Sequence, residues 1–178
     1  MNCKDCKYYE YCRDKCMPYN GCYPPWPPLP PLPPKPEIRR DLGGIQAQLT
    51  GLSGVLALEH QNILFDAVLN QSNTSITYDS STGEFLLAER KNYYVSWWAA
   101  IDGTEVTSTI AFAVALGGTP ISSAMSPQVT AQLSGSALVT VGNHSDRLSI
   151  INTSGNTVRY AETEIQAGIV LVEIGSLR

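Results

Sequence analysis

All five cysteines of the chain, Cys3, Cys6, Cys12, Cys16 and Cys22, lie within its first 22 residues. The first four, spaced Cys-x2-Cys-x5-Cys-x3-Cys, have roughly the compactness of a zinc knuckle, and four thiolates suit a tetrahedral zinc ion. No histidine lies nearby, the spacing fits no common zinc class, and a fifth cysteine follows. Disulfides are therefore favoured over metal, and no cofactor is expected. An odd count leaves at least one sulfur per chain either free or bonded to another chain. Lys4, Lys7, Arg13 and Lys15 flank the thiols, and neighbouring positive charge lowers a thiol pKa and speeds exchange. The chemistry expected of this arm is crosslinking or anchoring.

Other reactive residue types are sparse. His60 and His144 are the two histidines. His144-Ser145-Asp146 contains the residue types of a catalytic triad, but such triads are assembled from separate elements, and adjacent residues in an extended turn do not converge on one site. Asp102 and Glu105 flank a glycine turn and fit either part of an acidic axial calcium site or a solvated turn; the turn is favoured. Asn70, Asn73, Asn143 and Asn152 each begin an Asn-x-Ser/Thr sequence, which is read here as composition. Nothing in this set composes an enzyme.

The elements that must position these residues fall into segments. Residues 1–23 have almost no aliphatic side chains and cannot build a core, so crosslinks or a metal must order them. Residues 24–36, PPWPPLPPLPPKP, exclude helix and sheet because proline fixes φ and lacks an amide hydrogen. Polyproline II remains, a semi-rigid spacer of roughly 40 Å at about 3.1 Å per residue. Pro30-x-x-Pro33-x-Lys35 also fits a ligand pattern for SH3-type domains, but any proline run produces it. Over residues 37–61, Leu42, Ile45, Leu49, Leu52 and Leu56 follow a three-four rhythm, with Asp41 as amino cap. That predicts a short helical or coiled-coil neck, weakened by Gly43, Gly44, Gly51 and Gly54.

From residue 62 to 178 the pattern changes to short β-rich runs such as SITYD, GEFLLAE, YYVSWWAAI and IQAGIVLVEI. Turn residues such as Ser80-Ser81-Thr82-Gly83 and Gly117-Gly118-Thr119-Pro120 separate them. This spacing predicts an all-β sandwich or barrel. In 129–141, Val129, Ala131, Leu133, Ala137, Val139 and Val141 alternate with Thr130, Gln132, Ser134, Ser136 and Thr140, the mark of a half-buried strand. Two strands differ. Tyr93, Val95, Trp97, Ala99 and Ile101 oppose Tyr94, Ser96, Trp98 and Ala100; Ile169 and Leu171 oppose Val170, Val172 and Ile174. Each is apolar on both faces, while a sandwich supplies one dry face per sheet. The second face is expected to bury against another subunit, which makes Tyr93, Val95, Trp97, Trp98, Ile169, Val170, Leu171 and Val172 the candidate contact residues.

Charge sets limits on partners. Residues 1–40 carry seven Lys/Arg against four Asp/Glu, and residues 41–178 carry five against twelve. An acidic head on a slightly basic arm argues against a polyanion, so no nucleic-acid partner is expected. No apolar run reaches the roughly 18 residues a membrane span needs. The amino terminus has no apolar stretch behind its charges, so it does not read as a secretory signal and the chain is expected to be made in a cytoplasm.

The head resembles the globular heads of the complement first component and of tumour necrosis factor. Asn73, Tyr78, Phe85, Tyr93 and Trp97 fall at the intervals of the complement signature; Lys91 stands in place of its Gly, Val95 in place of its Phe, and Ala67 in place of an earlier aromatic. A closer likeness is to the carboxyl-terminal domains of collagen-like exosporium glycoproteins of bacterial endospores (the BclA type). It is carried over residues 62–175 by ILFDAVLNQSNTSITYDSSTGEF, NYYVSWWAAIDG, QLSGSALVTVG and IQAGIVLVEIG. The resemblance implies a ten-stranded jelly-roll head that is homotrimeric, with the Tyr93–Ile101 and Ile165–Ile174 strands in its contact sheet. It also implies a spore-surface location, exosporium or appendage, after synthesis in the mother-cell cytoplasm without export. The chain departs from the family in having no Gly-X-Y repeat, so the proline spacer stands in place of a collagen stalk. The leading expectation is a structural component anchored by interchain disulfides within the trimer or to a surface scaffold. The alternative is a trimeric adhesin or receptor-binding knob.

Overall fold

The computed structural model describes residues 43–51, 56–72, 75–104, 109–127 and 130–176. All belong to one compact unit, Arg39–Arg178. The Cys-rich arm and the proline spacer lie outside the described residues.

Among the described residues every regular element is a strand. They are β1 (Gly44–Thr50), β2 (Leu56–Ala57), β3 (Ala67–Ser72), β4 (Ile76–Asp79), β5 (Glu84–Leu87) and β6 (Lys91–Thr104), followed by β7 (Ile110–Leu116), β8 (Thr119–Ser126), β9 (Thr130–Val141), β10 (Asp146–Asn152), β11 (Val158–Tyr160) and β12 (Ile165–Ser176). Twelve strands stand where ten were expected, and β2 and β11 are short ones that pair with each other.

The expected helical neck over 37–61 is corrected where the chain is described. Residues 44–50 form β1, bonded antiparallel to β12 on one side and to β3 on the other. Ile45, Ala47 and Leu49 are buried and alternate with more exposed neighbours. The three-four spacing of Ile45 and Leu49 coexists with a period of two through Ala47, and a run this short fits both templates. Two open sheet edges decide in favour of the strand, because a helix there would leave β12 and β3 unpaired.

Seven strands form one sheet along the path β2-β11-β6-β12-β1-β3, with β9 on the other edge of β6; five form the second, β4-β5-β10-β7-β8. The sheets face each other across one core. The larger contributes Tyr93, Val95, Trp97 and Ile101 from β6, Ile169 and Leu171 from β12, and Leu133, Val139 and Val141 from β9. The smaller contributes Ile76, Phe85, Leu87, Phe112, Val114, Leu148 and Ile150. Trp97 meets Phe112 across the interior with ring centroids 6.3 Å apart. Phe65, Tyr78 and Phe85 form a second aromatic cluster, with Tyr78 stacked on Phe85 at 4.5 Å. The half-buried pattern of β9 holds: Leu133, Val139 and Val141 are buried, while Gln132, Ser134, Ser136 and Thr140 are exposed.

Gly117 and Gly118 close the β7–β8 hairpin at φ 56° and 78°, with Leu116 paired to Thr119. Two successive positive φ values are the geometry of a type I′ turn, the twist that a two-residue hairpin needs. Pro120 follows at a register shift on edge strand β8, where the missing amide hydrogen is tolerated.

Candidate functional site

Strands β6, β12 and β1 are central in the larger sheet, and their second face points away from the core. Antiparallel register lines up the side chains of that face in transverse rows. One row runs Leu138, Tyr94, Val172, Gly44 and Ser72; the next Ser136, Ser96, Val170, Gln46 and Asn70; the third Ser134, Trp98, Gly168, Gln48 and Ala67. Leu138 is 74 % exposed, Tyr94 and Val170 are 40 % exposed, and Ile174 is 48 % exposed. Trp98 and Val172 are half-buried. Beside Trp98, a shallow depression is lined by Gln46, Gln48, Leu69, Ile165 and Val170. Leu138, Tyr94 and Val172 share one row, and Val170 and Trp98 lie among the serines and glutamines of the next two; exposed apolar side chains grouped on the middle of a sheet mark a candidate interaction surface.

The eight residues expected at a subunit contact divide by this geometry. Tyr93, Val95, Trp97, Ile169 and Leu171 are at most 2 % exposed and lie in the core of their own protomer. A side chain already buried there has no area to offer a partner. Trp98, Val170 and Val172 point outward. Both parities of β6 and β12 are apolar, so the strands are legible in the sequence but the outward face is not. Tyr94 and Leu138 were missed as candidates. Leu138 carried a signal, being an apolar residue in the otherwise polar series Gln132, Ser134, Ser136 and Thr140.

Two tryptophans and two glycines build this part of the sheet. Trp97 is paired with Gly135 and Trp98 with Gly168. A Cβ on Gly135 would lie 2.8 Å from the Trp97 Nε1, and one on Gly168 would lie 2.6 Å from the Trp98 Nε1. Each indole lies over the space a side chain would fill, one on the inner face and one on the outer. The Trp97 Nε1 is buried and has no hydrogen-bond partner among the described residues, so the inner indole is held by packing.

At one end of the face the Lys91 Nζ lies 2.7 Å from the Glu173 Oε2, and the Glu173 carboxylate is nearly buried. The Glu173 backbone N–H donates to the Gly43 carbonyl at 2.7 Å, which ties the last strand to the entry of the first. The Tyr93 hydroxyl donates toward the Ala88 and Ser75 carbonyls at 3.1 and 3.2 Å. Burial, with the Glu173 carboxylate adding to it, pushes that hydroxyl up to about 12. Lys91 replaces the glycine of the complement signature, and its charge is answered by Glu173.

The remaining candidates do not converge. His60 and His144 are exposed, and His60 contacts Glu59 at 3.2 Å. Asp146 accepts from the Arg147 backbone N–H at 2.7 Å. Asp102 accepts from the Thr130 hydroxyl at 3.1 Å, and Glu105 lies outside the described residues. Asn152 is fully buried. Its side-chain amide donates to the Ala57, Leu58 and Asn156 carbonyls, and its oxygen accepts from Ser154. It is a structural knot, closed to modification in the folded chain. The five arm cysteines lie outside the described residues.

No protein-family model matches the chain, and no curated protein matches it. Solved structures do. The globular domain of zebrafish complement 1qA protein aligns with 76 % of this chain and 96 % of its own, at 19 % identity and a TM-score of 0.52. Murine APRIL at pH 8.0 aligns with 75 % of this chain and 99 % of its own, at 6 % identity and a TM-score of 0.58. Eiger TNF from S. frugiperda aligns with 78 % of this chain and 96 % of its own, at 15 % identity and a TM-score of 0.57. At these identities the likeness establishes the fold: a jelly roll of the complement and tumour necrosis factor type.

Proposed function

We propose that this chain is a non-enzymatic structural component of a bacterial spore surface layer or spore appendage. Its head assembles as a homotrimer through the outer face of the larger sheet, and its Cys-rich arm crosslinks or anchors it across the proline spacer. The observation that carries the assembly is the outward apolar group of Leu138, Tyr94, Val172, Val170 and Trp98 on the central strands. A three-fold ring closes when each copy presents this face to its neighbours, and it removes the patch from water. The fold is of the type for which the sequence resemblance implies this assembly. The spore location rests on the phrases shared with exosporium glycoproteins.

The arm follows from tethering. Three arms leaving one trimer are held together at millimolar effective concentration, which favours oxidation between chains over encounter with a free molecule. The odd cysteine count supplies at least one sulfur per chain for that bond.

Electron microscopy and extraction of the native assembly, with and without reductant, test the reading. The expected result is a surface-bound protein released only by reductant. Free release without reductant, with saturable binding of the head to a host glycan or protein, would replace this reading with the adhesin.

A further inference from the structure

The turn between β11 and β12 encloses a second depression, lined by Gly51, Glu162, Thr163, Glu164 and Gln166. Glu162 and Glu164 are exposed carboxylates, and among the described residues neither has an ion-pair partner. Gln166 is different in kind. It is 2 % exposed, although it lies on the outward parity of β12. Its Nε2 donates to the Ala161 carbonyl at 3.1 Å, which fixes which end of the amide is oxygen. The Oε1 is buried and, among the described residues, accepts no hydrogen bond. A buried amide oxygen without a donor costs on the order of 1–3 kcal/mol unless something positive meets it.

The backbone of the turn is held in place. The Gly51 N–H donates to the Glu164 carbonyl at 2.9 Å, the Thr163 N–H to the Ala161 carbonyl at 2.8 Å, and the Thr163 hydroxyl to the Ile165 carbonyl at 2.7 Å. Any Cβ at Gly51 would collide with the Thr163 carbonyl oxygen, so glycine is what lets the turn close against the end of β1.

We propose that this turn is a calcium site, with the Glu162 and Glu164 carboxylates and the Gln166 Oε1 as its protein ligands. The donors are all oxygen, as a hard cation requires, and no histidine or cysteine lines the depression, which sets zinc aside. Two flexible carboxylates and one fixed amide form an irregular set, which suits calcium's adaptable shell and not the strict octahedron of magnesium. Its three ligands are different residues from Asp102 and Glu105 and from the arm cysteines. It stands independently of the trimer reading.

The full chain, treated with chelator and dialysed, is titrated with calcium chloride by calorimetry and melted with and without the ion. Binding at one site per chain and a rise in melting temperature of about 5 °C or more at saturating calcium are expected. Magnesium at the same concentration should give a smaller shift. The double substitution Glu162→Gln/Glu164→Gln changes exposed groups, so its melting temperature in chelator should match wild type while its calcium affinity falls at least about tenfold. No heat and no shift in wild type at millimolar calcium would overturn the proposal. So would an unchanged calcium response in the double variant, which would place the ion elsewhere.

Discussion

Trp98 lies over Gly168 on the outer face of the larger sheet, with its Nε1 2.6 Å from where a Cβ would stand. Trp97, the adjacent residue, lies over Gly135 on the inner face in the same manner. The two pairs differ in what surrounds the ring. Trp97 is 2 % exposed and boxed in by the core, whereas Trp98 borders solvent. Gly135→Ala should therefore cost about 1–3 kcal/mol, the range for overpacking a filled interior. Gly168→Ala should cost less in the monomer, because the outer indole can swing away. Urea unfolding of both variants under conditions that keep the protein monomeric separates them. Equal costs would contradict this account of the rings.

The Lys91–Glu173 pair gives a second expectation. Glu173→Ala leaves the Lys91 ammonium, itself only partly exposed, without its partner. Removing one member of a buried pair costs about 3–5 kcal/mol, with the lower end expected here because solvent reaches Lys91. The double substitution Lys91→Met/Glu173→Leu should recover most of the loss. Chemical denaturation of wild type, Lys91→Met, Glu173→Leu and the double variant forms the thermodynamic cycle that checks it.

Stability should fall at high pH. Burial raises the Tyr78 and Tyr93 hydroxyls from 10 to about 12, and burial raises Tyr160 as well. The neutral form is thus favoured in the folded chain. Its contribution is fully present below pH 10, where unfolded tyrosine is still protonated, and is lost as pH rises from 10 towards 12. Melting temperature measured from pH 9 to 12 should decline, and Tyr93→Phe should flatten part of that decline. A flat profile across this window would argue that the rings are not shielded as described.

The arm makes a prediction of its own. Serine at Cys3, Cys6, Cys12, Cys16 and Cys22 should leave folding and trimer formation intact while removing covalent oligomers. Non-reducing electrophoresis of oxidised wild type should show dimers and trimers that reductant dissolves. Monomers alone, with stoichiometric zinc by metal analysis, would make the arm a metal knuckle.

Much of this fold is legible in the sequence because alternation is a local signal. The polar series of β9 and the turn glycines at 117 and 118 can be read residue by residue. The first strand could not be, since Ile45 and Leu49 satisfy a helical period as well as a strand period, and the choice is made by distant partners in β3 and β12. The outward apolar side chains are half legible. That β6 and β12 are apolar on both faces follows from their composition. Which face is outward depends on the opposing sheet, whose Phe112 and Ile150 claim the side of Trp97 and Ile169. The Gln166 depression was not legible, because it depends on a turn folding back against Gly51.

Sedimentation velocity of the full chain in reductant, at micromolar concentration, tests the trimer most directly when wild type is compared with Leu138→Asp. Leu138 is 74 % exposed in the protomer. Its substitution should change protomer stability by no more than about 0.5 kcal/mol, and the circular dichroism should match wild type. Wild type is predicted to sediment as a trimer and the variant as a folded monomer. A wild-type monomer, or a variant as trimeric as wild type, would contradict the account.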